Sequence, residues 1–413
     1  MNKGSGERQR QELPAASYRL PAETAGGSTK LGEGDVAGSR QPAAGSRGGE
    51  AEAALRHIKP QVRRLGAYTL RHYEPHIKLN QNESPYDLPR VLKQRIQQAL
   101  AERPWNRYPP FVAHHFIAAV AAHAGWPEAG VLVANGSNEL IQAVLAVVVE
   151  PGVSVVIPEP TFTLYRLMTE IGGGEVVSVP LDHELRFDVD AIVRAARASR
   201  AAAVVLCSPN NPTGGALTRE QILRVHDETD ALILLDQAYV DFGGDDARAL
   251  LAGRPRLLVL RTFSKALAMA GLRAGYLLAD PAVVAEVNKA KLPYNVNFYT
   301  EYAAAEALRH WPQIEPQVAR IRAERDRLYA GLVELPGLRV YPSAANFVLF
   351  RVTTTTLSHH GLFERLLDEH GILIRDVSKY PMLERCLRVN AGTPQETDAF
   401  LEAMRHVLEE VGA

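Results

Sequence analysis

The sequence is poor in cysteine, carries almost no net charge and has no long apolar run. Its 413 residues include two cysteines, Cys207 and Cys386. That excludes a disulfide framework and a Cys/His metal cluster. Lys and Arg total 46 against 47 Asp and Glu, a net charge of -1, so there is no sequence-wide basic footprint for nucleic acid and no polyanionic tail. The longest apolar run, around Leu145 to Val149, is too short to cross a bilayer. The start of the chain lacks the apolar core of a secretory signal, and its acidic residues argue against a mitochondrial presequence. These absences lead to the expectation of a cytoplasmic protein without metal, membrane or nucleic-acid partners.

What is present is ordinary globular material, 46% hydrophobic and 23% charged, long enough for two or three domains. Residues 1–58 are the exception. Ten of the 31 glycines fall in the first fifty positions, too little apolar material to offset the entropy of ordering, so this stretch is expected to be a disordered tail. Gly26-Gly27-Ser28-Thr29-Lys30 lacks both the residue order and the preceding strand of a phosphate loop.

Further on, continuous apolar runs alternate with helical patterns. Val131 to Val133, Val153 to Ile157, Ala203 to Cys207, Ala231 to Leu235 and Leu257 to Leu260 read as strands buried on both faces, which predicts an α/β fold with a mainly parallel sheet covered by helices. Glu139 to Val149 reads as a helix, and Thr218 with Gln221 forms a capping box for another. The rhythm changes after residue 298: a long helical region over about 299–333 precedes strands near 338–340, 347–350, 372–374 and 387–389. The expected organisation is an arm over 59–94 joining a small domain at 299–413, with a large domain at 95–298 between them.

Polar residues gather where the strands end, which is where open parallel sheets bind ligands. Singly, each has a bland reading: Lys265 as surface charge, Asp236 as a turn residue, Arg273 as an ion-pair partner, Asn211-Pro212-Thr213-Gly214 as a turn. Together they fit pyridoxal phosphate, which needs an amine for its Schiff base, an acid for its ring nitrogen and an anion site. Lys265 supplies the amine. Asp236 keeps the pyridine nitrogen protonated, and Tyr239 and Asn211 can bond the phenolic oxygen. Ser264 and Arg273 suit the phosphate, with Gly136-Ser137-Asn138 adding helix N-terminal N–H groups. Phe162 offers a face for stacking.

With these motifs in order, the chain from about Tyr68 onward resembles the fold-type-I, class II aminotransferases, most closely the histidinol-phosphate aminotransferases. The stretches that carry the resemblance include Asn80 to Pro85, Arg107-Tyr108-Pro109, Asp236 to Tyr239, Thr262 to Lys265, Gly271 to Gly275, Ile374-Arg375-Asp376 and Leu387 to Thr393. It implies a large domain with a seven-stranded sheet, a smaller α/β domain and a homodimer with shared sites. In that dimer Tyr108 would reach the neighbour's cofactor phosphate. Lys265 would carry the cofactor and shuttle the proton. Arg388 would bind the carboxylate of the donor, glutamate; Arg375 and Tyr68 would hold a phosphate end of the substrate, and Asn82 would line the entrance. The implied reaction joins imidazole-acetol phosphate and glutamate to histidinol phosphate and 2-oxoglutarate, in histidine biosynthesis. An aromatic amino-acid aminotransferase and a threonine-phosphate decarboxylase share the scaffold.

Three positions depart from the family pattern: Gln237 where Glu is usual, Asn390-Ala391 beside Arg388, and Phe162 where Tyr is frequent. Gln237 is expected to stand behind the site rather than in it. A regulator of this fold would carry a fused helix-turn-helix, for which residues 1–50 lack the apolar periodicity. The pairs His114-His115 and His359-His360 lack a third ligand at metal spacing.

Overall fold

The computed structural model describes residues 48–66 and 73–412. Met1–His57 and Ile58–Ala413 are separate units. In the first, Gly48–Leu55 is helical, which corrects the expected tail at its end: Glu-Ala-Glu-Ala-Ala-Leu is a run of strong helix formers. The remainder of the tail, residues 1–47, lies outside the described residues.

The second unit begins its strands with β1 (Ile77–Lys78), β2 (Val131–Ala134), β3 (Ser154–Glu159), β4 (Glu175–Pro180), β5 (Ala203–Cys207), β6 (Leu232–Asp236), β7 (Leu257–Thr262) and β8 (Gly275–Leu278). Seven of them form one sheet in the order β2-β8-β7-β6-β5-β3-β4. Every neighbouring pair is parallel except the two made by β8. Side-chain alternation explains the uninterrupted apolar strands. Val204 and Leu206 face a layer containing Phe116 and Phe263, whereas Ala203, Val205 and Cys207 face one containing Leu140 and Tyr165. Both faces are covered, so every position in β5 is buried. The helix Arg219–Asp227 starts with the expected capping box, Thr218 and Gln221 each accepting the other's backbone N–H.

The strands β9 (Leu338–Tyr341), β10 (Phe347–Val352), β11 (Ile372–Leu373), β12 (Arg375–Asp376) and β13 (Cys386–Asn390) follow. Four make an antiparallel sheet in the order β12-β13-β10-β9, while β11 pairs in parallel with β1. The arm is therefore fastened by strand pairing, and Leu79 just beyond β1 enters a core with Leu387 and Val389. The helical stretch over 299–333 is two helices, Phe298–Arg309 and Trp311–Val333, not one. Pro312 lies in the first turn of the second helix; it has no N–H to bond backward, so the first helix ends before it. No helix among the described residues is long and apolar enough to cross a membrane.

Candidate active site

Parallel strands deliver their last residues to one edge of a sheet, and here that edge borders a cavity of about 440 Å³. Each strand end is built by local packing. After β7, Phe263 is fully buried edge-on against Phe116, with ring centroids 5.2 Å apart. Thr262 and Ser264 join hydroxyls at 3.1 Å, which turns the chain so that Lys265 enters the cavity. Its Nζ donates to the carbonyl of Gln81 in the arm at 2.9 Å. Burial and the charges of Arg388 and Arg273, partly offset by Glu83, push this amine down to about 7, where a lysine is a competent base and nucleophile.

Asp236 ends β6 and is buried. Its Oδ2 accepts from the Tyr165 hydroxyl at 2.8 Å and its Oδ1 from the backbone N–H of Ala238 at 2.9 Å. Burial raises its pKa, against the lowering effect of both bonds. Tyr239 follows on the same turn and receives a hydrogen bond from Asn82 Nδ2 at 3.0 Å. Asn82 in turn is placed by Asn390, whose Oδ1 accepts its backbone N–H at 3.2 Å, so the unusual Asn390 anchors the arm.

At the end of β2, Gly136 precedes the helix Ser137–Val148, whose first turn no side chain caps. Its φ is +86°, and a Cβ there would lie 2.6 Å from Arg273 Nη2. A Cβ on Gly275 would lie 2.5 Å from the Ser137 nitrogen. Glycine at both places lets the helix end and the Arg273 guanidinium share one cradle. Arg273 also donates to Ser264 Oγ at 3.1 Å. Helix N–H groups, a hydroxyl and an arginine fork make a site for a doubly charged oxyanion. Arg388, also in the cavity lining, donates to Asn211 Oδ1 and to the Asn80 carbonyl, and Arg375 lines the cavity as well. Asn80 and Asn82 each leave Oδ1 buried without a hydrogen-bond partner among the described residues, acceptors that a ligand would satisfy.

The cavity thus brings together Ser137, Asn138, Phe162, Asn211, Asp236, Tyr239, Ser264, Lys265, Arg273, Asn82, Arg375 and Arg388. Gly136 shapes it from behind. Tyr108 does not line the chain's own cavity; it is exposed and stacks on Tyr294 at 4.7 Å. Tyr68 lies outside the described residues. Gln237 is buried away from the cavity, donating to the Asp245 carbonyl at 2.7 Å and accepting from the Ala247 N–H at 3.1 Å. Sequence reasoning missed Tyr165, although its three-residue spacing from Phe162 puts both on one face of a turn. It also missed Gln81, whose contribution is a backbone carbonyl that side-chain identity cannot announce. Among the described residues no group of three or more His, Cys, Asp or Glu could hold a metal ion.

A doubly wound sheet presenting a cavity lysine, a buried strand-end acid and an anion cradle defines a fold-type-I transferase of the pyridoxal-phosphate class. The chain belongs to the aminotransferase class I and II family, which its residues 74–404 match. It is 40% identical over 355 residues to the histidinol-phosphate aminotransferase of Chlorobium phaeobacteroides, an alignment covering 86% of this chain and 97% of that one. Identity to the enzyme of that name from Chlorobaculum tepidum is also 40%, over 80% of this chain and 94% of that one. A crystal structure of histidinol-phosphate aminotransferase from Sinorhizobium meliloti in complex with pyridoxal 5'-phosphate superposes with a TM-score of 0.79. That match has 25% identity and covers 87% of this chain and all of that one. Membership of the family makes the protein an enzyme acting on an amino donor and a keto acceptor.

Proposed function

We propose that the chain binds pyridoxal 5'-phosphate in this cavity and transfers the amino group between glutamate and imidazole-acetol phosphate, yielding histidinol phosphate and 2-oxoglutarate in histidine biosynthesis. The observation that carries the reading is the meeting of Lys265, Asp236 and the Gly136–Arg273 cradle around one cavity, in a chain 40% identical to histidinol-phosphate aminotransferases. The curated relatives do not favour the aromatic or decarboxylase alternatives.

The residues fit the cofactor group by group. Ser137, Asn138, Ser264 and Arg273 would hold the phosphate, Asp236 would serve the ring nitrogen, Tyr239 and Asn211 the phenolic oxygen, and Phe162 would offer an aromatic face to the ring. When bound, the cofactor supplies an electron sink for the pair released as the substrate Cα–H bond breaks. Lys265 would hold the cofactor through its aldehyde and would move the proton at the substrate Cα, a task that its lowered basicity suits. Arg388 orients the donor's carboxylate. Arg375 takes the phosphate end of the partner substrate, and a guanidinium fork suits either anion.

The working form is a homodimer. Tyr108 and Phe111 both pack on Tyr294, with ring centroids 4.7 and 5.5 Å apart, and all three are exposed, an aromatic cluster of the kind that marks a protein–protein contact. From it Tyr108 would reach the cofactor phosphate of the second copy. Assay of the purified protein with glutamate and a panel of keto acceptors tests the reading. Turnover of imidazole-acetol phosphate above that of phenylpyruvate is the expected outcome, and the reverse order refutes it.

A further inference from the structure

We propose that Tyr165 is a positioning residue for Asp236, its hydroxyl fixing the carboxylate in the orientation and charge state that meets the heterocyclic nitrogen of the cofactor. The inference rests on the pyridoxal-phosphate reading above and assigns a role to a residue outside the expected constellation.

Tyr165 belongs to the helix Leu164–Gly172 and is wholly buried in the apolar layer on one face of the sheet. A tyrosine in such a place needs a partner for its hydroxyl, and that partner is Asp236 Oδ2 at 2.8 Å. Burial together with the neighbouring Asp236 charge holds the phenol well above its ordinary range, so the hydroxyl acts as a donor. The other carboxylate oxygen takes the Ala238 N–H. Each oxygen is therefore held by one uncharged donor, and no Lys, Arg or His forms an ion pair with Asp236 among the described residues. The negative charge is stabilised without being cancelled. It remains available to a cationic N–H arriving from the cavity, which suits a protonated pyridine ring.

The other titratable groups around the carboxylate leave this arrangement intact. Cys207, on the adjacent strand β5, has its thiol pushed up to about 12 by burial and by Asp236, so it stays neutral. Tyr239, on the following turn, is likewise raised by burial. The cationic side chains of the cavity, Lys265, Arg273, Arg375 and Arg388, make their hydrogen bonds elsewhere or face the open space. Among the described residues Tyr165 is the one side chain that hydrogen-bonds the acid, and it does so from a helix rather than a loop.

The test uses full-length Tyr165→Phe, which keeps the ring and removes the hydroxyl. Its bound cofactor should show the pH-dependent visible absorbance change at higher pH than wild type by up to about one unit. A less positive ring nitrogen withdraws less from the nitrogen linking cofactor and lysine, which then holds its proton longer. The dissociation constant for pyridoxal phosphate should rise about tenfold, and kcat should fall with the KM for glutamate unchanged. The 1-deaza analogue, with carbon in place of the ring nitrogen, should bind wild type and Tyr165→Phe alike. An unshifted absorbance transition overturns the proposal, as does an equal loss of affinity for cofactor and analogue, which marks lost packing alone. Should Tyr165→Phe not fold, a fluorinated tyrosine at position 165, a stronger donor of the same shape, decides: a transition moved to lower pH supports the role and an unmoved one overturns it. Wild type that binds no pyridoxal phosphate overturns both this inference and the function on which it rests.

Discussion

Lys265→Met in the cofactor-free protein isolates the cost of keeping an amine in this cavity. The wild-type amine is pushed from an ordinary 10.5 down to about 7, first by burial and then by Arg388. It is partly buried and lines the cavity, so water screens it incompletely. At about 1.36 kcal/mol for each pH unit, the difference between 10.5 and about 7 gives a ceiling of roughly 4–5 kcal/mol. Cavity water brings the working figure to about 2–4 kcal/mol. The sign follows from linkage. Below about pH 7 the lysine is charged in folded and unfolded chains alike, and the full penalty of burying the charge applies. Between about 7 and 10.5 the unfolded chain binds the extra proton, so stability rises with pH, and above that window the penalty is gone. Lys265→Met should therefore be more stable than wild type toward urea at neutral pH and lose its advantage as pH approaches the upper limit. Competitive acetylation of the wild type, read by mass spectrometry on the peptide containing Lys265, should show reactivity levelling off just above neutrality. Reactivity still climbing at alkaline pH, or a stability gap that ignores pH, would refute the reasoning.

Three further outcomes follow from the geometry. Arg375→Ala should raise the KM for the phosphorylated substrate at least tenfold, from a charge-assisted contact of about 1.5–3 kcal/mol, while glutamate suffers less; equal losses in steady-state kinetics would place the phosphate elsewhere. Glu139 accepts from the Asn135 backbone at 2.6 Å and from Asn295 Nδ2 at 3.0 Å with each oxygen, tying the anion cradle's helix to the segment that bears Tyr294. Glu139→Gln sacrifices one acceptor and should weaken cofactor binding about fivefold to tenfold in equilibrium dialysis; unchanged binding would show that the tie is dispensable. Phe111→Asp puts a charge into the exposed aromatic patch and should convert a dimer into a monomer in sedimentation, with activity lost; an unaltered dimer would move the contact surface elsewhere.

Much of the candidate site was legible in the sequence as residues that line one cavity, because parallel α/β sheets bind ligands where apolar strands stop. Asp236 and Lys265 follow the runs Leu232–Leu235 and Leu257–Leu260, and Gly136 follows Val131–Ala134. The exceptions have physical causes. The helix Gly48–Leu55 is short and sits beside a glycine-rich stretch that masks its propensity. The division at His310 depends on which of two prolines, Pro312 or Pro316, marks a helix start, and Pro316 is carried inside the second helix. Tyr165 was hidden because a tyrosine in an apolar run looks like packing until its hydroxyl finds an acid more than seventy residues away in the chain.

The order of apolar runs and polar punctuation was enough to determine the class of fold and to put a lysine, an acid and a glycine turn where strands end, since each is a local consequence of strand burial and turn chemistry. Only the tertiary structure decided what surrounds them: Tyr165 behind Asp236, the Gln81 carbonyl on Lys265, Asn390 holding Asn82, and the glycines that let Arg273 lie against the end of the helix Ser137–Val148. Those contacts join segments far apart in the chain, often through backbone atoms or through space left by a missing Cβ. Residue identity along the sequence carries no record of either.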